Sequence, residues 1–282
     1  MQPGRPSVTA DRVARRRAAH QLLDDPKVFE DPVAFSVLDP GTAASLRARP
    51  KVEAGLIANA VRAYIAARSR YAEDALAAAV ARGVRQYVLL GAGLDTFPYR
   101  NPHAEVRVFE VDYPGTQAWK RARLSQGGVV IPPSVTFVPL DFQEETLPDG
   151  LRRAGFLTDV PTFFSWLGVT MYLTPAVVLG TLRFIAQELP KGSGIVFDYM
   201  LPRSHMTLFR RLVFEWYARR VASMAEPFVS AFDPASLIRE VTALGFTRVE
   251  DVPPDAMNAL YFDGRKDRLR VRTLTHLMRA EV

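Results

Sequence analysis

The chain has 282 residues, 48% of them hydrophobic and 23% charged, a balance that excludes a disordered tail, a collagen-like fibre and a low-complexity linker. It contains no cysteine, which removes disulfides, thiolate metal sites and cysteine nucleophiles and makes a cytoplasmic location the default expectation. A net charge of +6 does not indicate nucleic acid, because 30 acidic residues are interleaved with 36 basic ones, and the one basic cluster, Arg12, Arg15, Arg16 and Arg17, reads as the solvated face of a helix.

The first 80 residues read as helices only. Asp11 to Leu23 is a short charged helix, Asp25-Pro26 and Asp31-Pro32 mark turns, and Pro50 to Gly83 is a long Ala-rich helical stretch with Gly83 at its C-terminal cap. The N-terminal 20 residues are polar, and no later stretch approaches the roughly 18 apolar residues of a membrane span, so neither export nor insertion is expected.

After Gly83 the hydrophobic period changes. Gln86 to Leu90 is a continuous β-branched and aromatic run, as expected for a parallel strand buried on both faces, and residues 106–112, 135–141, 162–169 and 194–200 are four more. Between them lie punctuated helices. One has Thr174 as N-cap and Pro175 at its first position and stops at Pro190; another opens at Asp233-Pro234 and closes at Gly245. Residues 247–252 and 273–280 add two final strands, the last alternating in character and so a candidate antiparallel strand. The alternation of strand and helix is that of a doubly wound α/β sheet.

The first strand runs into Gly91-Ala92-Gly93-Leu94-Asp95-Thr96. Two glycines spaced by one allow a sharp turn and close approach of a ligand to the backbone, although the same pattern serves a bare strand exit. The second strand ends in Asp112, 21 residues beyond Gly91, where an acid reaches ribose hydroxyls; the third ends in Asp141-Phe142, an acceptor beside an aromatic ring, suited to adenine. Either aspartate alone would pass for a strand-end turn residue. Position 96 is Thr, not the third glycine that a pyrophosphate needs, so adenosine carrying something other than phosphates, S-adenosylmethionine, fits. Its carboxylate calls for a cation, Arg68 or Arg70, and Asp95 either holds its ammonium or caps the next turn.

Arg68-Ser69-Arg70-Tyr71, Leu90 to Thr96, Phe109-Glu110-Val111-Asp112-Tyr113-Pro114 and Gly168-Val169-Thr170-Met171-Tyr172-Leu173-Thr174 together resemble the leucine carboxyl methyltransferase and polyketide O-methyltransferase group of class I S-adenosylmethionine-dependent methyltransferases. The resemblance implies a Rossmann-like seven-stranded sheet with the last strand antiparallel, an N-terminal helical cap at 1–82, and a core at 83–282 carrying a helical insert at 202–232. It assigns Arg68 to the cofactor carboxylate, Gly91 to the methionine arm, Asp112 to the ribose, and Asp141 with Phe142 to the adenine; Ala92, Gly93, Asp95 and Tyr113 are further candidate cofactor-binding residues. Many relatives have a glutamate directly before the Gly-Val-Thr-Met-Tyr motif, where this chain has Leu167.

The expected reaction is O-methylation of a carboxylate or hydroxyl on a small, largely apolar acceptor, with no metal. Tyr172, after the fourth strand, and His205, after the fifth, are the candidate catalytic residues nearest the transferred methyl, although Tyr172 serves equally as a packing residue. In the insert, Met206, Phe209, Phe214, Trp216, Tyr217, Met224 and Phe228 form an aromatic face that either encloses the acceptor or docks the insert on the sheet. Two other classes compete: a nicotinamide-dependent oxidoreductase, which should show a third glycine and a Tyr-x-x-x-Lys pair, and a non-catalytic nucleotide-binding or nucleic-acid-binding module, which has no need of an enclosed aromatic insert. Neither nucleic acid nor membrane is an expected partner.

Overall fold

A computed structural model describes residues 8–141, 144–205 and 228–282. The sheet strands are β1 (Gln86–Leu90), β2 (Arg107–Asp112), β3 (Val135–Pro139), β4 (Thr162–Trp166), β5 (Gly194–Met200), β6 (Arg248–Val252) and β7 (Thr275–Glu281). The described helices are α1 (Val8–Leu23), α2 (Pro40–Ala48), α3 (Leu56–Ala81), α4 (Pro114–Gln126), α5 (Leu147–Arg153), α6 (Pro175–Glu188), α7 (Pro234–Leu244) and α8 (Pro254–Tyr261).

The strands lie in the order β3-β2-β1-β4-β5-β7-β6. The first five are parallel, and β7 runs antiparallel to both β5 and β6, as its alternating sequence suggested. The order reverses between β1 and β4, and a doubly wound sheet opens a crevice for ligands at that point, beyond the carboxyl ends of its strands.

Side chains alternate across the sheet and divide the core in two. Tyr87 and Leu89 of β1 face α3 and α8, together with Phe163, Val196 and Leu277. Val88 and Leu90 face the other way, onto α5, α6 and α7, together with Phe109, Phe164, Trp166 and Phe197. The helix α3 thus belongs to the packing of the sheet: Ala67, Ala72, Ala75, Leu76 and Ala79 share one cluster with the strands, mostly small residues that let a long helix lie close to β4 and β5. The helices α1 and α2 form a satellite cluster around Ala14, Ala18, Leu46, Leu94 and Leu124.

Proline writes many of the boundaries. Helices α2, α4, α6, α7 and α8 begin with Pro at their first position, where the missing N–H costs nothing, and Asp39, Thr174 and Asp233 cap α2, α6 and α7 by accepting from first-turn N–H groups. The long helical stretch expected over 50–83 is divided: a 3-10 turn at Pro50–Glu53 precedes Gly55, whose φ of 120° interrupts the helix before α3 starts. The strand expected over 162–169 ends at Trp166, because Gly168 turns at a φ of 77°.

Candidate functional site

The carboxyl ends of β1, β2, β3 and β4 open into one cavity of about 460 Å³, within the range of roughly 300–1,000 Å³ usual for small-molecule sites. Its floor is the turn after β1. Gly91 and Ala92 both donate to the Val111 carbonyl of β2, at 2.8 and 3.1 Å, which folds the turn back across the neighbouring strand. Gly91 holds a φ of 65°, and a Cβ added there would collide with Val169 Cγ2; Gly93, at a φ of 45°, packs beside Ala10 of α1. Both glycines are needed for conformation, and Gly91 also for space.

Asp112 ends β2 against this turn. Its carboxylate accepts from Gly93 N–H at 2.6 Å and from Tyr113 N–H at 2.7 Å, and the residue is 7% exposed. Burial pushes its carboxyl up to about 6, and the two N–H donors pull the other way. Two residues earlier on the strand, Glu110 is fully buried, accepts from Lys120 Nζ and from the Tyr99 hydroxyl, each at 2.7 Å, and so fixes α4 to β2 beneath the site. Asp141 also lines the cavity, at the end of β3; Phe142 lies outside the described residues.

Of the two arginines considered for a ligand carboxylate, Arg68 lines the cavity and Arg70 does not. Arg70 points outward to Asp74 at 2.8 Å. Arg68 donates to Asp198 Oδ2 at 2.8 Å, and its two terminal nitrogens stand 3.0 Å from where a Cβ on Gly168 would lie. Asp198 is completely buried and also accepts from the Tyr64 hydroxyl and the Gly168 N–H, so one carboxylate on β5 ties α3, the arginine and the turn after β4 together. A charged residue inside the otherwise apolar run Gly194 to Met200 was the sequence signal for this post, since a buried carboxylate requires partners.

Of the basic cluster on α1 only Arg12 is exposed, so the four arginines do not form the solvated face expected of them. Arg17 is 4% exposed and lines the cavity, donating to the Leu94 carbonyl and pairing with Asp31 at 2.9 Å; Arg15 and Arg16 converge on the buried Glu53. Ala10, Ala14 and Ala18, at helical spacing around Arg17, let α1 approach the β1 turn closely enough for the guanidinium to be enclosed. Asp95 caps the next turn by accepting from Phe97 N–H at 2.8 Å, the second of its two expected roles. Burial opposes its ionisation, but Arg17, Lys120 and the Phe97 N–H together hold its carboxyl below the usual range.

The remaining wall is apolar. Leu167, Val169, Tyr172, Leu173 and Val229 line it, and the Tyr172 and Phe228 rings stack with centroids 5.6 Å apart. Val229 N–H and the Ser230 hydroxyl bond to the Met171 and Thr170 carbonyls, pinning residues 228–230 to the 3-10 turn Thr170–Tyr172. The structure brings Tyr172 to the cavity and leaves His205 away from it: His205 is exposed, pairs with Asp233 at 3.1 Å and is not among the described lining residues. The short 3-10 turn at Arg203–His205 carries its side chain to the start of α7 instead. Met206, Phe209, Phe214, Trp216, Tyr217 and Met224 lie outside the described residues.

This arrangement suits an adenosine that carries an amino-acid arm. Two glycines leave the backbone open to close approach, a buried carboxylate keeps lone pairs for ligand hydroxyls, and an enclosed arginine is at hand for an anionic group. Among the described residues no helix is long and apolar enough to cross a membrane.

A family model described as leucine carboxyl methyltransferase matches residues 10–186, more than half of the chain. A Bacillus subtilis protein provisionally named as the S-adenosyl-L-methionine-dependent methyltransferase YktD is 36% identical over 222 residues, covering 76% of this chain and 71% of its own. A Mycolicibacterium gilvum protein with the same provisional activity is 32% identical over 201 residues, covering 70% of this chain and 78% of its own. Among solved structures, a methyltransferase-like protein from Thermobifida fusca superposes with a TM-score of 0.57 at 17% identity, covering 99% of this chain and 96% of that one. A DUF574 family protein from Streptomyces avermitilis does so with a TM-score of 0.54 at 19% identity, covering 95% and 96%. These two likenesses speak for the fold.

Proposed function

We propose O-methyl transfer to a small, largely apolar acceptor for this chain, which belongs to the leucine carboxyl methyltransferase family and is an S-adenosylmethionine-dependent methyltransferase. The cofactor supplies a methyl group on a sulfonium: the acceptor oxygen forms the new C–O bond as the C–S bond breaks, and S-adenosylhomocysteine leaves. Asp112 binds the ribose, Asp141 the adenine side and Arg68 the carboxylate, while Gly91 and Gly93 leave room for the arm. Arg17, which donates to the Leu94 carbonyl and lies 3.9 Å from Asp95, holds α1 against the turn after β1.

The observation that carries the acceptor reading is the apolar wall. The Tyr172–Phe228 stack, continuous with Val169, Leu173 and Val229, offers flat and aliphatic surface where the acceptor would lie. Such a wall excludes water, a competing nucleophile, and strengthens the attraction between an anionic oxygen and a sulfonium as their charges cancel. No histidine lines the cavity among the described residues, and the acids that line it, Asp95, Asp112 and Asp141, stand on the cofactor side. A carboxylate needs no base to become a nucleophile, whereas a phenol or alcohol usually does, so a carboxylic acid is the favoured acceptor. The name of the matching family agrees with a carboxyl oxygen.

The experiment is a screen of carboxylic acids, phenols and amines with S-adenosylmethionine radiolabelled on its methyl group. Label is expected as an ester on small apolar acids. Label found only on nitrogen, or only on a macromolecule, overturns the reading.

A further inference from the structure

Arginine and carboxylate pairs frequently join by two parallel N–H···O bonds, which engage a whole edge of the guanidinium. Arg68 and Asp198 do not. Asp198, completely buried on β5, receives a single bond from Arg68, Nη1 to Oδ2 at 2.8 Å. Other donors already occupy its oxygens: the Tyr64 hydroxyl donates to the same Oδ2 at 2.9 Å, and the Gly168 N–H donates to Oδ1 at 2.7 Å.

The guanidinium is thereby left with donors to spare. Nη2 and Nε of Arg68 bond to nothing among the described residues, and both retain accessible surface. The Arg68 side chain is 9% exposed where that of Asp198 is sealed, and Arg68 lines the cavity. Gly168 keeps the space around it clear, since a Cβ there would come within 3.0 Å of both Nη1 and Nη2.

Tyr64 stands one helical turn before Arg68 on α3, its ring centroid 5.4 Å from the guanidinium carbon. One helix thus supplies both the arginine and the hydroxyl that limits its hold on Asp198. Burial and the neighbouring Asp198 push the Tyr64 hydroxyl well above its usual range, so it stays a donor.

We infer that Tyr64 is a positioning residue for the cofactor: by filling a lone pair of Asp198, its hydroxyl keeps the Arg68 pair to one bond and leaves the other guanidinium donors for the carboxylate of S-adenosylmethionine. Without that hydroxyl, Arg68 turns onto Asp198 with two bonds and is withdrawn from the cavity. The inference rests on Arg68 as the partner of the cofactor carboxylate and is independent of the acceptor.

The test is calorimetric titration of the parent, Tyr64→Phe and Arg68→Ala with S-adenosylhomocysteine and with S-adenosyl-3-thiopropylamine, the same molecule without its carboxylate. The parent is expected to prefer S-adenosylhomocysteine. In Tyr64→Phe the Kd for S-adenosylhomocysteine should rise about tenfold, the order of one hydrogen bond to a charged group, while that for the amine stays within about twofold. Arg68→Ala should lose the preference altogether. A merely structural hydroxyl would weaken both ligands equally, and that outcome overturns the inference. So does a Tyr64→Phe that keeps the preference while Arg68→Ala loses it. A parent with no preference, or one whose preference survives in Arg68→Ala, refutes the assignment of Arg68 itself, and the inference falls with it. Should Tyr64→Phe fail to fold, a crystal structure of the parent with S-adenosylhomocysteine decides: Arg68 is expected to keep one bond to Asp198 and to donate from Nη2 or Nε to the ligand carboxylate. Two bonds to Asp198 and none to the ligand contradict the inference.

Discussion

The part of the cavity proposed for the cofactor and the part proposed for the acceptor are built differently. The cofactor end is made of backbone and charge: Gly91 and Ala92 bonded to Val111, Gly93 and Tyr113 bonded to Asp112, and Arg68 locked to Asp198. Each group there has a fixed hydrogen-bond partner, so a change of one atom is felt. The proposed acceptor end is made of apolar side chains, Val169, Tyr172, Leu173 and Val229, with Phe228 stacked on Tyr172 and three bonds from residues 229 and 230 to the 3-10 turn. Such a wall tolerates substitution and can change its shape to suit a different acceptor without disturbing the cofactor.

The comparison is tested most severely at Gly91. A Cβ there meets both an unfavourable φ and Val169, so Gly91→Ala should weaken S-adenosylmethionine binding by about 100-fold or more and lower the Tm. Adding Val169→Ala should recover only the steric share. If calorimetry shows Gly91→Ala binding like the parent, the backbone end is far softer than described.

Arg68→Ala should have two separate effects. It leaves the buried Asp198 without its cation, at a cost of about 3–5 kcal/mol in stability, read from denaturant unfolding. It should also cost affinity for S-adenosylmethionine while sparing adenosine, which has no carboxylate. Equal losses for the two ligands would reduce Arg68 to its structural pairing.

Asp112→Ala should weaken cofactor binding by about 1.5–3 kcal/mol, because the ribose loses a charged acceptor. The pH dependence follows from a carboxyl pushed up to about 6. Below that pH the free protein holds Asp112 neutral, so binding through the anion requires loss of a proton, and Kd should rise about tenfold per pH unit as pH falls beneath 6, levelling above it. For stability the sign is opposite to that of an ion-paired aspartate. A carboxyl raised in the folded state contributes most below its unfolded value near 3.8 and loses that contribution as pH rises through 6, so cofactor-free Asp112→Asn should melt above the parent at pH 7. A parent Kd flat from pH 7 to pH 5 would contradict this.

The smallest effect is expected at the acceptor end. Phe228→Ala removes one ring of the stack and should leave the Kd for S-adenosylhomocysteine within about twofold, while raising KM for the acceptor several-fold. A large change in cofactor affinity would mean that the two ends are coupled.

The same contrast explains what could be read from the chain alone. Gly91, Asp112 and Asp141 were legible because successive parallel strands bring their carboxyl ends to one edge, so residues close in sequence pattern are close in space. The N-caps and the prolines at α6 and α7 were legible because they are local chemistry. Arg17 was not, because an arginine among three others on a polar helix carries no mark of burial; only the alanines beside it did. His205 failed for a related reason: a position after a strand end says nothing about which way a short turn carries the side chain. Helices α2 and α8 escaped notice because each is short and the prolines that open them, Pro40 and Pro254, were passed over.

One feature of the sheet bears on how the chain comes to be made. Among the described strands β6 has no neighbour but β7, and β7 lies between it and β5, although β6 is synthesised first. During translation, β1 to β5 can assemble as their segments emerge and the helix Pro234–Leu244 can dock on α6, while β6 waits without a ladder partner until residues 275–281 arrive to be inserted. The nascent protein therefore passes through a stage with β5 as an open edge, and this is where a ribosome-associated chaperone has most to shield and where a strand from another chain has its best opportunity to pair wrongly.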